Sequence, residues 1–390
     1  MKKVGFQKAK AIWAKDREAE KNCELAFLAR IPRRKKTFIS IATSGIYRLW
    51  INDKFKAAGP ARTAHGYFRV DKYMLDEELT EEENVVVVEV LGYNVNSYDT
   101  LNQLSFLTAE IQNADGIAAY TGGNTFRIYD RRERVQKVQR YSFQRAFIED
   151  YRLSEKKTWD FPEEEQVFRP EPYYIAREIR YPQFEVLKAE AVVAEGSATF
   201  DNEECQIIGE ENYFKVNDQL LGFSYEDVEE HISEEAQRIR FYPQNGKSEA
   251  INRKYLKNGY ALYCFPYNAT GFYRIDIKAK ENSRIFVQFD ELLSGEDINF
   301  LRMYSCNCFV YTVQPGQYQL MSFAPYVMKY LKIIVKGACL VENVELVEYK
   351  HPEVSNRVCL PEDDEELQTI WKAALESYKA NSLDVFMDCP

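Results

Sequence analysis

Histidine is nearly missing: the chain has only His65, His231 and His351, far apart in sequence. Histidine-based acid–base catalysis or metal binding therefore has little to work with. Cysteine is sparse too, eight in 390 residues, and only Cys306 and Cys308 sit close together. They alternate along a predicted strand with no second Cys-x-x-Cys or histidine pair, which argues for reduced structural thiols and against zinc. No apolar run approaches the roughly 20 residues that a bilayer span needs, so no membrane partner is expected. The opening MKKVGFQKAKAIWAKDREAEKN lacks the apolar segment and small-residue cleavage site of a secretory signal, and a cytoplasmic location is expected. Basic residues are outnumbered 51 to 61, and a net charge of −10 repels a phosphate backbone, so nucleic acid is not an expected partner. Gly92 and Gly122-Gly123 belong to no phosphate-loop pattern. The acidic clusters 81–83, 163–165 and 363–366 lack the alternating ligand spacing of a calcium loop. No cofactor and no metal are expected.

What is abundant is aromatic side chain, 14% of the chain with 27 Tyr and 24 Phe, set among many short β-prone runs. That composition suits β-sandwiches, whose pleated faces favour ring and branched side chains. It also suits sugar binding, since a tyrosine offers an apolar ring face and a hydroxyl tip. TFISIAT and IYRLWI, split by Ser44-Gly45, read as two strands, the second with Tyr47, Leu49 and Ile51 on one face. VVVVEVL (85–91) reads as a strand buried on both faces. Asn113-Ala114-Asp115-Gly116 reads as a hairpin turn. Residues 135–153 continue in extended style, and 154–183 read as an irregular surface excursion. Val228, Ile232, Ala236 and Ile239 fall at helical spacing over 224–239.

A second run of strands follows from Tyr255: YALYCF, GFYRIDI, RIFVQFDELL, NCFVYTV, YQLMSFA, YLKIIV and VENVELVEYK. Without intervening helices, they predict a second antiparallel sandwich. After Pro361 the pattern becomes an amphipathic helix with Asp363 or Asp364 as N-cap and a stripe of Leu367, Ile370, Trp371, Ala374, Leu375 and Tyr378. Such a stripe needs a surface to pack on, and weak packing on the second sandwich is expected. The fold class expected is thus mainly β: two antiparallel β-sandwich domains at 1–195 and 196–355, jelly-roll-like, then the start of an α-helical domain at 356–390.

In this order the segments YRLWINDKFKAAGPARTAHGYFRVDKY, NVVVVEVLGYNVNSY, VQRYSFQRAFIEDY, GFYRIDIKAKENSRIFVQFDELLSG, FAPYVMKYLKIIV and the closing NSLDVFMDCP resemble the bacterial α-L-rhamnosidases of glycoside hydrolase family 78. The resemblance implies an N-terminal sandwich module, a second sandwich, and entry into a truncated (α/α)6-barrel that binds terminal α-L-rhamnose of glycosides or polysaccharides. Matched to the family's Asp-Cys-Pro triplet, Asp388 is implied to hold sugar hydroxyls.

Inverting hydrolysis needs two carboxyl groups about 6.5–9.5 Å apart. The resemblance places both beyond Pro390, so no catalytic residue is assigned and the 390-residue piece is expected to be inactive. The loops GPARTAHGYFRVDKY and GYNVNSYD offer Arg62, His65, Tyr67, Tyr93, Asn94, Asn96 and Tyr98 as sugar contacts or interdomain contacts. A non-catalytic carbohydrate-binding or scaffold protein built on the same sandwiches is the competing reading. Homodimerisation through the β domains is compatible with either.

Overall fold

The computed structural model describes residues 2–155, 160–169, 171–202, 205, 213–217, 219–244, 251–352, 358, 360–361 and 364–385. The chain is mainly β, 48% strand and 8% helix. It forms two compact units, each assembled from separated stretches. The first holds Met1–Arg177, Cys205–Gln237 and Leu301–Phe309; the second holds Glu178–Glu204, Arg238–Phe300 and Val310–Pro390.

The first unit starts with β1 (Ile12–Ala14), β2 (Cys23–Pro32), β3 (Phe38–Thr43), β4 (Ile46–Ile51) and β5 (Lys54–Gly59). β3 and β4 fall where period-two patterning predicts them, with Tyr47, Leu49 and Ile51 buried. Asn52 and Asp53, at φ 50° and 60°, turn β4 into β5; short polar side chains tolerate the left-handed region that such tight hairpins need. Then come β6 (Tyr67–Met74), β7 (Glu83–Gly92), and the hairpin β8 (Leu107–Asn113) to β9 (Gly116–Tyr120), in which Gly116 takes φ 122°. β7 is buried along one face, where Val86, Val88 and Val90 are inaccessible; on the other, Glu89 and Leu91 are buried and Val85 and Val87 are half-buried.

β10 (Arg127–Asp130), β11 (Asp150–Leu153), β12 (Glu164–Gln166) and β13 (Tyr173–Ala176) complete the unit's strands. Much of 135–149, expected to be extended, is irregular, and the expected surface excursion instead contributes β12, antiparallel to β1, and β13, parallel to β6. Strands of three or four residues leave no periodicity to read; their partners over 100 residues away define them.

One sheet runs β12-β1-β8-β3-β6-β13, with β9 on β8; the other runs β10-β2-β7-β4-β5. They meet face to face through contacts such as Trp13 with Phe27, ring centroids 5.7 Å apart. A helical segment is present over 224–239 but shorter than periodicity predicts: a 3-10 turn at Tyr225–Asp227, then α1 (Ile232–Gln237). Val228, Ile232, Ala236 and Ile239 are all buried, as their spacing requires. His231 stacks on Tyr225 at 3.9 Å, a packing role.

The second unit has β14 (Val186–Lys188), β15 (Ala191–Thr199), β16 (Arg240–Pro243), β17 (Arg253–Ala279), β18 (Ser283–Asp290), β19 (Cys308–Val313) from Val310 onward, β20 (Gly316–Met321), β21 (Tyr326–Glu348) and α2 (Glu365–Asn381). YALYCF and GFYRIDI, expected as separate strands, fuse into β17, and YLKIIV and VENVELVE fuse into β21. These two pair antiparallel with a register break between Cys264 and Ala269. Pro266 lies in that gap, where its missing N–H removes a ladder bond and the strand can bend. β19, β18, β21, β17, β15 and β16 follow one another across the sheet. Tyr273 anchors the core, with its hydroxyl 2.7 Å from that of Tyr311 and its ring 6.2 Å from Phe289.

Cys306 precedes β19 and Cys308 opens it; both are buried free thiols, and burial pushes Cys306 up to about 12. Asp364 caps α2 as its position suggests, accepting from the Leu367 amide at 2.8 Å. The stripe expected to pack weakly is only half covered: none of its residues is fully buried, Leu367, Ile370 and Tyr378 are exposed, and Trp371 and Leu375 are half-buried. Its C-terminal turn is held instead, the Lys379 carbonyl accepting from the His351 amide at 3.1 Å.

Candidate functional site

The residues singled out in the two aromatic loops sit in different surroundings within the first unit. Arg62, His65 and Tyr67 lie where the loop after β5 enters β6. The Tyr67 amide donates to the Ala64 carbonyl at 3.1 Å, and Arg69 Nε donates to the Arg62 carbonyl at 3.0 Å. His65 is exposed, Arg62 half-buried, and the Tyr67 ring is 38% exposed. Deeper on β6, buried Asp71 accepts from Tyr47 Oη at 2.6 Å and from Arg177 Nη1 at 2.9 Å. Burial pushes the Asp71 carboxyl up, against the pull of Arg177.

Along 93–98 the side chains divide. Tyr93 and Asn94 are buried; Asn94, at φ 48°, donates through Nδ2 to the carbonyls of Glu18 and Glu20 at 2.9 and 2.7 Å. Asn96 donates to the Gln219 carbonyl at 2.7 Å. Tyr98 is 71% exposed, edge-on to Phe143 at 5.9 Å. Arg140, a fully buried arginine that no motif marked, holds this loop in place. It donates to the carbonyls of Asn96, Leu220, Leu221 and Ser142 at 2.5 to 3.1 Å. Asp388 lies outside the described residues.

Sequence reasoning also missed a buried ionic lattice on the outer face of β4 and β7. Glu89 interrupts the valine run and accepts from Arg48 Nη2 at 2.8 Å, from Trp50 Nε1 at 2.7 Å, and from Arg131. Burial alone would raise its carboxyl, but Arg48 and Arg131 hold it down to about 2. Glu24 on β2 accepts from Tyr151 Oη at 3.0 Å, and Tyr151 accepts from Arg134 at 2.7 Å. Burial pushes Glu24 up, opposed by Arg131. The lattice floors a cavity of about 400 Å³ lined by residues that include Arg17, Glu20, Arg131, Arg132 and Arg134. With most of its charges paired, the lattice joins β2, β4, β7, β11 and the segment that follows β10; chemically it is a clamp with a polar recess beside it. The signal available in sequence was the lone Glu89 within VVVVEVL and the RRER run 131–134.

No protein-family model matches the chain, and no curated protein matches it by sequence. Solved structures do match. The GH78 family rhamnosidase of Bacillus sp. GL1 superposes with a TM-score of 0.76 over 99% of this chain, at 13% identity. The fold is one found in rhamnosidases. The chain spans 59% of that enzyme's length. The α-L-rhamnosidase from Aspergillus terreus matches with a TM-score of 0.59 over 98% of this chain and 41% of its own, at 14% identity. The Streptomyces avermitilis α-L-rhamnosidase, solved with L-rhamnose, matches with 0.54 over 95% and 32%, at 13% identity. At these identities the likeness is one of fold.

Proposed function

We propose that this chain is the β-sandwich portion of a rhamnosidase-like glycoside hydrolase that removes terminal α-L-rhamnose with inversion. The observation that carries the reading is the superposition over 99% of the chain on a GH78 rhamnosidase. The ordered motif resemblance that ends in Asp388-Cys389-Pro390 supports the same reading. In it, Asp388 holds sugar hydroxyls, and the proton-donating and water-activating carboxyls come from chain outside these 390 residues. Inversion requires those two groups on opposite faces of the sugar ring with room for a water between them.

The test is hydrolysis of an aryl α-L-rhamnoside by the longest natural chain containing these residues, with the first-formed anomer read by NMR. Rhamnose released as the β-anomer is expected, with no release by the 390-residue piece. A longer chain that is inert on rhamnosides but cleaves another glycoside would overturn the substrate and leave the fold untouched. The competing reading, a carbohydrate-binding module without catalysis, is favoured by the exposed, well-anchored tyrosines; saccharide binding by the 390-residue chain alone would support it.

A further inference from the structure

Two of the exposed tyrosines of the first unit are arranged as a pair. β13 lies parallel to β6 with Tyr173 in register with Tyr67, and the rings meet edge to face at 4.9 Å. Tyr67 is 38% exposed and Tyr173 41%, whereas the next residues along the strands, Phe68 and Tyr174, are buried in an aromatic cluster with Phe106. The pair is rigidly mounted. The Val4 amide donates to the Tyr174 carbonyl at 3.2 Å, the Ala176 amide donates to the Lys2 carbonyl at 2.9 Å, and the Ala64–Tyr67 turn closes the other side. Holding two large rings in place at the surface costs ordering entropy without full burial in return, which is the pattern of a preorganised contact surface.

The charges around the pair are one-sided. Lys3 Nζ lies 4.9 Å over the Tyr173 ring, and Arg69 lies two residues from Tyr67 on β6. The acids near these residues are engaged: Glu171 with Lys10 at 3.4 Å and Gln166 at 3.0 Å, and buried Asp71 with Arg177. In a chain of net charge −10, a basic rim around two rings favours a ligand with flat apolar faces and negative charge. Sugar rings supply the faces and uronate carboxylates the charge.

We propose that Tyr67 and Tyr173, with Lys3 and Arg69, form a surface site for an acidic oligosaccharide. This deepens the carbohydrate reading above but does not require hydrolysis. Binding is measured on the 390-residue chain by calorimetry, with α-1,4-linked tetragalacturonate as probe and maltotetraose as the neutral control. Tetragalacturonate should bind at least about tenfold more tightly than maltotetraose, and more weakly as salt rises. Tyr173→Ala and Lys3→Glu should each weaken it about tenfold or more. Tyr67→Phe, which keeps the ring, and Tyr98→Ala, outside the pair, should bind like the parent.

Equal binding by Tyr173→Ala with an unchanged melting curve overturns the site. So does absence of binding by the parent chain, or equally tight binding of a single-stranded oligonucleotide, which would make the rim a general polyanion surface. None of these outcomes depends on whether a longer chain cleaves rhamnosides.

Discussion

Arg48 and Glu89 are cross-strand partners on β4 and β7, and their side chains close a buried ion pair at 2.8 Å. Glu89 also accepts from the Trp50 indole and from Arg131, so a single carboxylate holds two guanidiniums and an indole. Removing it takes the paired carboxylate from the buried Arg48 guanidinium and leaves Arg131 with Glu133 and Glu24. Glu89→Ala is expected to cost about 3–5 kcal/mol, the usual consequence of deleting one partner of a buried pair. Urea unfolding monitored by tryptophan fluorescence measures it.

The same residue sets an acid limb of stability. Its carboxyl is held at about 2 in the fold against an ordinary 4.5, so the unfolded chain binds the proton more readily. Stability from this group is complete above about pH 4.5 and is lost as pH falls toward 2. Glu89→Gln should flatten that limb. Glu24 runs in the opposite sense, since burial raises its carboxyl; Glu24→Gln should be tolerated better than Glu89→Gln. Melting temperatures of the three proteins between pH 2 and 7 check both statements.

Lys332 on β21 is wholly buried, its ammonium 3.1 Å from the centre of the Phe241 ring and 2.7 Å from Asp297 Oδ2. Burial lowers it to about 8 despite Asp297. Between pH 8 and the ordinary 10.5, the unfolded chain keeps a proton that the folded chain has released, so stability contributed here rises with pH. Lys332→Met should abolish that rise while keeping the packing against Phe241 and Tyr260. Denaturation series at pH 7.5 and 10 would show a smaller difference in the variant than in the parent.

Gly59 is required by close approach. A Cβ there would meet Asp71 Oδ2 at 2.6 Å and the Tyr47 ring at 2.8 Å. Gly59→Ala is expected to destabilise the first unit by about 1–3 kcal/mol through overpacking. Tyr47→Phe, which leaves Asp71 with one fewer donor, should cost about 1–3 kcal/mol. Thermal melts of both variants against the parent supply the measurement.

Asp364→Ala removes the cap of α2 and should cost about 1 kcal/mol of helix stability. Because no residue of α2 is buried, the loss should be local. Amide exchange should quicken across its first turn with the melting of the sandwiches unchanged, whereas a global drop in stability would contradict the exposed placement.

The strands legible in sequence were those with their own periodicity. TFISIAT, IYRLWI and the NADG hairpin are found where they were expected, because alternation and turn chemistry are local. β12 and β13 were not legible, since three or four residues acquire strand character only by pairing with β1 and β6. The fusion of YALYCF with GFYRIDI depends on β21 spanning both, which no local window contains. At the candidate site, Tyr67 was visible as an aromatic beside polar groups. Tyr173, its partner ring, was not, because 106 positions separate them and only the parallel register joins them. Arg140 and Glu89 were hidden for a related reason: a charged residue reads as surface until its burial is known.

By itself the sequence determined that the chain is mainly β and which faces of β4 and α1 turn inward. Composition and period are properties of neighbouring residues, and they act before any long-range contact forms. Tertiary structure alone decided that Arg48, Glu89, Arg131 and Glu24 share one desolvated lattice, that no residue of α2 is fully buried, and that Tyr67 and Tyr173 stand side by side with Lys3 over the Tyr173 ring. Each depends on burial or on pairing between distant strands, and neither is fixed until the sheets close.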